Sequence, residues 1–339
     1  MKISRRHFLK TQAAAALAAP FVKAEAASPV LGHGKFKYRV VPGWGVLGND
    51  TPVKNCHGIA VSREGHVVLL TDHIANNVLI YEPSGKLLHK WGTSLPGAHG
   101  LSLVQEGTRE VLFLTCLSTH RVLKTTLDGQ VLQEWRAPES RYQNPSDFKP
   151  SWTLHLKDGS FFTLDGYGMD YILRHNPDGT LHSVFGGQEG GIAHWGPHGG
   201  ITDPRFPDNP SLLIAMSDQQ HLLQLSLDGT PLRTIPLPGG NPRQIRFLNN
   251  HFFVAHLADN WPKDRNSRGF VSVLDSEFRV VSNIGGSAPE YSETGTLLPM
   301  RSAEPVFQHP HDAVPAPDGC LYVAQFSSGN TYPLKLEPV

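Results

Sequence analysis

An excess of charge of either sign is missing. Thirty Lys and Arg balance thirty Asp and Glu, so the composition gives no footprint for nucleic acid or an anionic membrane surface. Cysteine is scarce. Cys56, Cys116 and Cys320 form an odd set without a CxxC pair, which leaves at least one thiol unpaired and gives no redox or zinc-ribbon motif. Long apolar runs are absent beyond the first thirty residues, so no later segment is expected to span a bilayer. In their place stand 33 glycines and 27 prolines among 339 residues, the makings of a turn-rich, strand-rich body. The 18 histidines are the unusual feature, because imidazoles bind metals and titrate near neutrality.

The first residues read separately. Ser4, Arg5, Arg6, His7, Phe8, Leu9 and Lys10 make a twin-arginine pattern, followed by a short apolar run from Ala13 to Val22 and small residues around Ala24, Glu25 and Ala26. Residues 1–27 are therefore expected to be a twin-arginine export signal, removed near Ala26 or Ala27. The mature protein is expected outside the cytoplasm, periplasmic or otherwise extracytoplasmic, with no membrane span.

A repeat runs through the rest. Turn glycines at Gly85, Gly129, Gly179 and Gly229 are separated by 44, 50 and 50 residues, each after a strand-like run and before an alternating strand closed by glycine or an aromatic. Strand pairs upstream of these turns occur six times, ending with "AVPAPDGCLYVAQF". Such a period fits β-propeller blades of four strands each. The fold class is all-β, a six-bladed propeller forming one domain over residues 37–339. The last copy has room for about three strands, and the orphan strand "KYRVVPGWGVL" at 37–47 is expected to complete it, leaving no open edge. A seven-bladed ring and an open β-solenoid are the other architectures considered.

The first strand of each copy opens with one register position, held in turn by His57, His99, Ser151, His198, Arg243 and His311. Inner strands of a propeller line the central channel, so these positions meet around the axis. Successive histidines are 42, 99 and 113 residues apart, spacings that match no local zinc motif and acquire sense only through the ring. Three or four converging imidazoles suit a zinc ion with an open coordination position. The other reading is that each imidazole hydrogen-bonds within its own blade. Tyr167, in the glycine-rich "DGYG" turn of the third copy, falls at the same face and offers a proton donor, or a base if a metal lowers its pKa.

The segments "AHGLSL", "DGYG", "PHGG" and "HPHDAVPAPDGCLYVA", in this order, resemble the peptidyl-α-hydroxyglycine α-amidating lyase domain and its NHL-repeat relatives. The resemblance implies a six-bladed propeller that cleaves the N–Cα bond of a peptidyl α-hydroxyglycine to give a peptide amide and glyoxylate. It implies zinc ligands His99, His198 and His311, Tyr167 in proton abstraction, and a structural calcium held by Asp312 with the carbonyls of Ile59 and Leu101. Where the family has a catalytic arginine this chain has Asp72, and Arg243 is the axial cation available for a carboxylate.

The combined expectation is an exported, metal-dependent propeller enzyme, a zinc-dependent carbon–nitrogen lyase or a hydrolase, monomeric, acting on a small polar or peptide-like substrate. His57 and His309 are further candidates at the site. The alternative is a non-catalytic NHL-type propeller that binds a protein or glycan partner. A calcium-dependent lactonase propeller would need carboxylate and asparagine ligands, in which the channel register is poor.

Overall fold

The computed structural model describes residues 29–187, 196–261, 263–326 and 331–339. The expected export signal lies outside the described residues. Two short strands, β1 (Leu31–His33) and β2 (Phe36–Val40), come first. The first blade is then β3 (Cys56–Val61), β4 (Val67–Thr71), β5 (Val78–Tyr81) and β6 (Leu87–Trp91). The second is β7 (Ala98–Glu106), β8 (Arg109–Cys116), β9 (Arg121–Thr125) and β10 (Val131–Arg136). The third is β11 (Trp152–His155), β12 (Phe161–Leu164), β13 (Tyr171–His175) and β14 (Leu181–Gly186). The fourth is β15 (Pro197–Thr202), β16 (Leu212–Met216), β17 (His221–Leu225) and β18 (Pro231–Pro236). The fifth is β19 (Pro242–Leu248), β20 (His251–His256), β21 (Phe270–Leu274) and β22 (Val280–Ile284). The sixth contributes β23 (Pro310–Pro315), β24 (Leu321–Gln325) and β25 (Leu334–Pro338).

Five sheets have four antiparallel strands; the sixth runs β1-β2-β25-β24-β23. The ring is thus six-bladed and closed by the N-terminal strand, as the repeat count implied. Tyr38 pairs with Pro338 and Val40 with Leu336. The closing strand is shorter than the apolar stretch suggested. After Val40 the chain turns, and the Trp44 indole lies against Tyr81 and Tyr322 at centroid distances of 5.4 and 5.0 Å.

Blades bury both faces, which is why their inner strands read as near-continuous apolar runs. In β4, Val67 and Leu69 pack with Tyr322 and Ala324 of the sixth blade, while Val68 and Leu70 pack with Leu112 and Leu114 of the second. Strand alternation sends successive side chains to opposite neighbours, so each interface has its own apolar cluster. The aromatics that close the first three repeats, Trp91, Trp135 and Phe185, lock the outer rim. A Cβ on Gly129 would lie 2.7 Å from the Trp91 ring, and one on Gly229 would lie 2.4 Å from Phe185. Each turn glycine has φ near +90° and lies under the aromatic of the preceding blade, so any larger residue would be both strained and blocked. Among the described residues no helix is long and apolar enough to cross a membrane.

Candidate metal centre at the channel mouth

The register position becomes a site through a local irregularity. In five of the six blades the pairing of first and second strands slips where the candidate residue sits: between Cys56 and Gly58, Ala98 and Leu101, Pro197 and Gly199, Pro242 and Ile245, and Pro310 and Asp312. A β-bulge re-aims the side chain at the extra residue. Here it turns His57, His99, His198, Arg243 and His311 into the channel. The third blade pairs without a slip, and Ser151, which precedes β11, donates its hydroxyl to the Pro197 carbonyl at 2.9 Å.

The glycine after each of three histidines lets the next blade come close. A Cβ on Gly58 would stand 2.5 Å from Leu101 Cβ, and one on Gly199 would stand 2.3 Å from the Arg243 carbonyl oxygen. That close approach supplies the hydrogen bonds that orient the imidazoles. His99 Nδ1 lies 2.8 Å from the Ser151 carbonyl, His198 Nδ1 3.1 Å from that of Arg243, and His311 Nδ1 2.7 Å from that of His57. A carbonyl only accepts, so each Nδ1 carries the proton and each Nε2 keeps its lone pair. These bonds reach into the following blade, so the within-blade reading of the His-Gly pairs does not hold.

Four imidazoles therefore meet. His99 lies 4.7 Å from His57, 4.9 Å from His198 and 4.8 Å from His311, centroid to centroid. The nitrogens that His57, His99 and His311 can offer to a metal all lie within 4.8 Å of one another. His198 adjoins this triad, 4.7 Å from the His311 ring, and its Nε2 accepts from the Tyr167 hydroxyl at 3.0 Å. His57 thus belongs to the cluster. His309 does not: its Nε2 points to the Ser267 carbonyl at 3.1 Å and its ring packs on Trp261.

The donor set fits a soft-to-borderline divalent metal. His99 Nε2 is buried without a hydrogen-bond partner, a state that costs free energy unless something binds the lone pair. Burial pushes the His99 pKa down to about 4, although the bond to Ser151 opposes the shift. Burial likewise holds His57, His198 and His311 well below the ordinary imidazole value, and the Arg243 charge adds to the effect in each. At neutral pH all four are free bases, the form a metal requires.

Tyr167 and Arg243 complete the mouth. The Tyr167 residue is 40% exposed, but its hydroxyl is turned inward onto His198 and accepts from Arg243 Nη1 at 3.5 Å. Burial of that hydroxyl raises its pKa, with Arg243 pulling the other way, so in the metal-free cluster the phenol is a proton donor. Arg243 is 7% exposed, its Nε is buried without a partner, and its guanidinium makes no ion pair among the described residues. It faces a cavity of about 300 Å³ shared with Tyr167, Asp218, Leu257, Trp261 and Arg265. Asp72, in the place of the family arginine, is 9% exposed and accepts from the Asn55 amide and side chain at 3.0 and 2.8 Å. It ties a turn and reaches no site.

The calcium expectation meets an obstacle. Asp312 and the Ile59 and Leu101 carbonyls do converge, but on a guanidinium. Arg246 donates from Nε to Asp312 Oδ1 at 3.0 Å, and from Nη2 to Asp312 Oδ2 at 2.5 Å, the Ile59 carbonyl at 2.8 Å and the Leu101 carbonyl at 3.4 Å. These residues do not fit a calcium ion, and Asp312 is not a ligand of the histidine cluster. Arg246 was invisible to sequence reasoning because an arginine late in an inner strand looks like any solvated rim residue. The walls Leu257 and Trp261 come from connections whose place at the mouth only the fold reveals.

No family model and no curated protein matches this chain. Among solved structures it is similar to a streptogramin B lyase at 14% identity and TM-score 0.58, over 86% of this chain and 96% of that one. A virginiamycin B lyase from Staphylococcus aureus gives 14% and 0.54, over 85% and 98%. A gluconolactonase from Xanthomonas campestris gives 14% and 0.58, over 93% and 98%. At these identities the likeness establishes the propeller fold.

Proposed function

We propose that the channel mouth is the metal centre of an exported propeller enzyme of lyase type, acting on a small polar or peptide-like substrate that carries a carboxylate. The observation that carries this reading is the buried, unpartnered His99 Nε2 among three further imidazoles, three of the four with Nδ1 tied to the adjoining blade. Nδ1 of His175, His256 and His309 is likewise buried without a partner; what sets His99 Nε2 apart is that its ring meets three other imidazoles. His57, His99 and His311 would hold the ion, with His198 adjoining or joining them; zinc bound there supplies Lewis-acid polarisation of a substrate oxygen.

The chain's own residues do the rest. Arg243, a buried cation without an ion pair among the described residues, binds the substrate carboxylate. The Tyr167 hydroxyl, 3.0 Å from His198, is placed to move a proton at the substrate hydroxyl or the departing nitrogen. Leu257 and Trp261 limit water on one side of the cavity. In a carbon–nitrogen lyase reaction of the amidating type, the hydroxyl proton leaves, the carbon–oxygen double bond forms as the carbon–nitrogen bond breaks, and nitrogen regains a proton. No water is consumed. That two similar folds are lyases and one is a lactonase is in keeping with an enzyme.

Elemental analysis of untagged protein, beside a His99→Ala/His198→Ala variant, tests the centre. Near-stoichiometric zinc in the parent and none in a variant with the same circular dichroism is expected. Metal-free protein that fails to bind added zinc would leave a binding propeller. If metal is present, Tyr167→Phe should retain it while lowering turnover of α-hydroxyglycine peptides by roughly 10²-fold or more.

A further inference from the structure

We infer that Arg246 is a built-in cation: its guanidinium occupies a carboxylate-and-carbonyl cradle that would otherwise take a divalent metal ion, and so makes this propeller independent of calcium. The cradle is assembled from three blades by a side chain of a fourth. Asp312 comes from β23, the Ile59 carbonyl from β3, the Leu101 carbonyl from β7, and Arg246 from β19. Asp312 has no exposed surface; beyond Arg246, its Oδ2 also accepts from the Ile59 amide at 3.0 Å. Inner strands have no neighbour on their axial side, so carbonyls turned there need a donor or a cation. A carboxylate with carbonyl oxygens is the ligand chemistry of a hard divalent ion. A planar guanidinium with five N–H donors satisfies the same oxygens with a single charge. The indole of Trp152 carries its other side, 5.5 Å from the guanidinium carbon.

The cradle sits directly against the histidine cluster in sequence and space. Asp312 follows His311, Ile59 lies two residues after His57, and Leu101 lies two residues after His99. The arginine therefore holds together the three strands whose imidazoles form the compact triad. It acts as a positioning residue, and this second part rests on the metal-centre reading, whereas independence from calcium does not.

Melting curves of the full chain in CaCl2 and in EGTA separate the two. Wild-type protein should melt at the same temperature in both. Arg246→Ala, which leaves the carboxylate facing the carbonyls, should melt about 5–10 °C lower in EGTA and recover roughly half of that loss in millimolar calcium. Arg246→Lys keeps a charge but cannot span the cradle; it should melt between the two and ignore calcium. Should Arg246→Ala fail to fold without calcium, its recovery in calcium supports the inference, and if it fails in both, the lysine variant decides. A wild-type protein stabilised by about 5 °C in calcium, a lysine variant that gains as much, or an alanine variant melting like wild type would overturn it. For positioning, cobalt titration well below the melting temperature should show affinity at least about 10-fold weaker in Arg246→Ala and regained in calcium. Unchanged cobalt affinity would refute the positioning role. Absence of cobalt binding by wild type would sink the metal centre while the melting curves still judge the built-in cation.

Discussion

Acid should unfold this protein well above the pH at which carboxylates protonate, because several histidines are folded as neutral bases. Three of those outside the histidine cluster pack on phenylalanine rings. His256 is 0% exposed and stacked on Phe270, His175 is 6% exposed and stacked on Phe161, and His155 packs between Phe113 and Phe161. Burial pushes their pKa values down to about 3, about 4 and about 3 respectively. An unfolded histidine protonates near pH 6.5. Between that value and the folded one, the unfolded chain binds protons that the native chain refuses. Stability is therefore fully present above pH 6.5 and declines as pH falls, by about 1.4 kcal/mol per pH unit for each histidine. From pH 6.5 to 5 the three together remove about 5 kcal/mol, comparable with the whole stability of many domains. One carboxyl acts the other way: burial raises Asp165 to about 6, so its protonation gives back about 1 kcal/mol over the same range. The assay is urea unfolding followed by tryptophan fluorescence, with EDTA present so that no metal contributes. The midpoint should be flat from pH 8 to 7 and then fall steeply. A His175→Gln/His256→Gln variant should lose stability at neutral pH but show a slope shallower by about two protons. A parent midpoint unchanged between pH 7.5 and 5 would refute the reasoning.

Two further outcomes follow from packing. Gly199→Ala would drive a Cβ to 2.3 Å from the Arg243 carbonyl; it should cost about 1–3 kcal/mol in urea unfolding and weaken metal binding by displacing the acceptor of His198. The cysteines are all free, Cys56 and Cys116 are fully buried and Cys320 is 6% exposed, and burial pushes the Cys56 thiol up to about 12 and that of Cys320 to about 11. A thiol reagent should find no fast-reacting group in the native protein and three in denaturant; rapid native reaction, or fewer than three thiols after unfolding, would contradict the structure.

What could be read from the sequence was whatever repeats. Gly85, Gly129, Gly179 and Gly229 marked four blades because a positive-φ turn pressed against an aromatic favours glycine, whereas the fifth blade puts Phe278 at the same turn position with φ +67° and so escaped the pattern. The register of His57, His99, His198, Arg243 and His311 was legible because a ring converts equal positions into neighbours. The bulge at those positions was not, since it leaves no residue type of its own. Arg246 was missed for the opposite reason to the histidines: it occurs once, and its partners lie 66, 145 and 187 residues away. Asp312 and two carbonyls can be matched by motif, while Arg246, the group that lies between them, cannot.

The closing of the ring also governs when the centre comes into being. The sheet that bears His311 and Asp312 is finished only when Tyr38, Arg39 and Val40 pair with Pro338, Glu337 and Leu336, partners about 300 residues apart. Until that pairing forms, the sixth blade has an unsealed edge, His311 has no fixed place beside His57, and Arg246 has no carboxylate to grip. A nascent or C-terminally shortened chain therefore holds neither the triad nor its internal cation, and on the metal-centre proposal metal capture would report that the ring has closed.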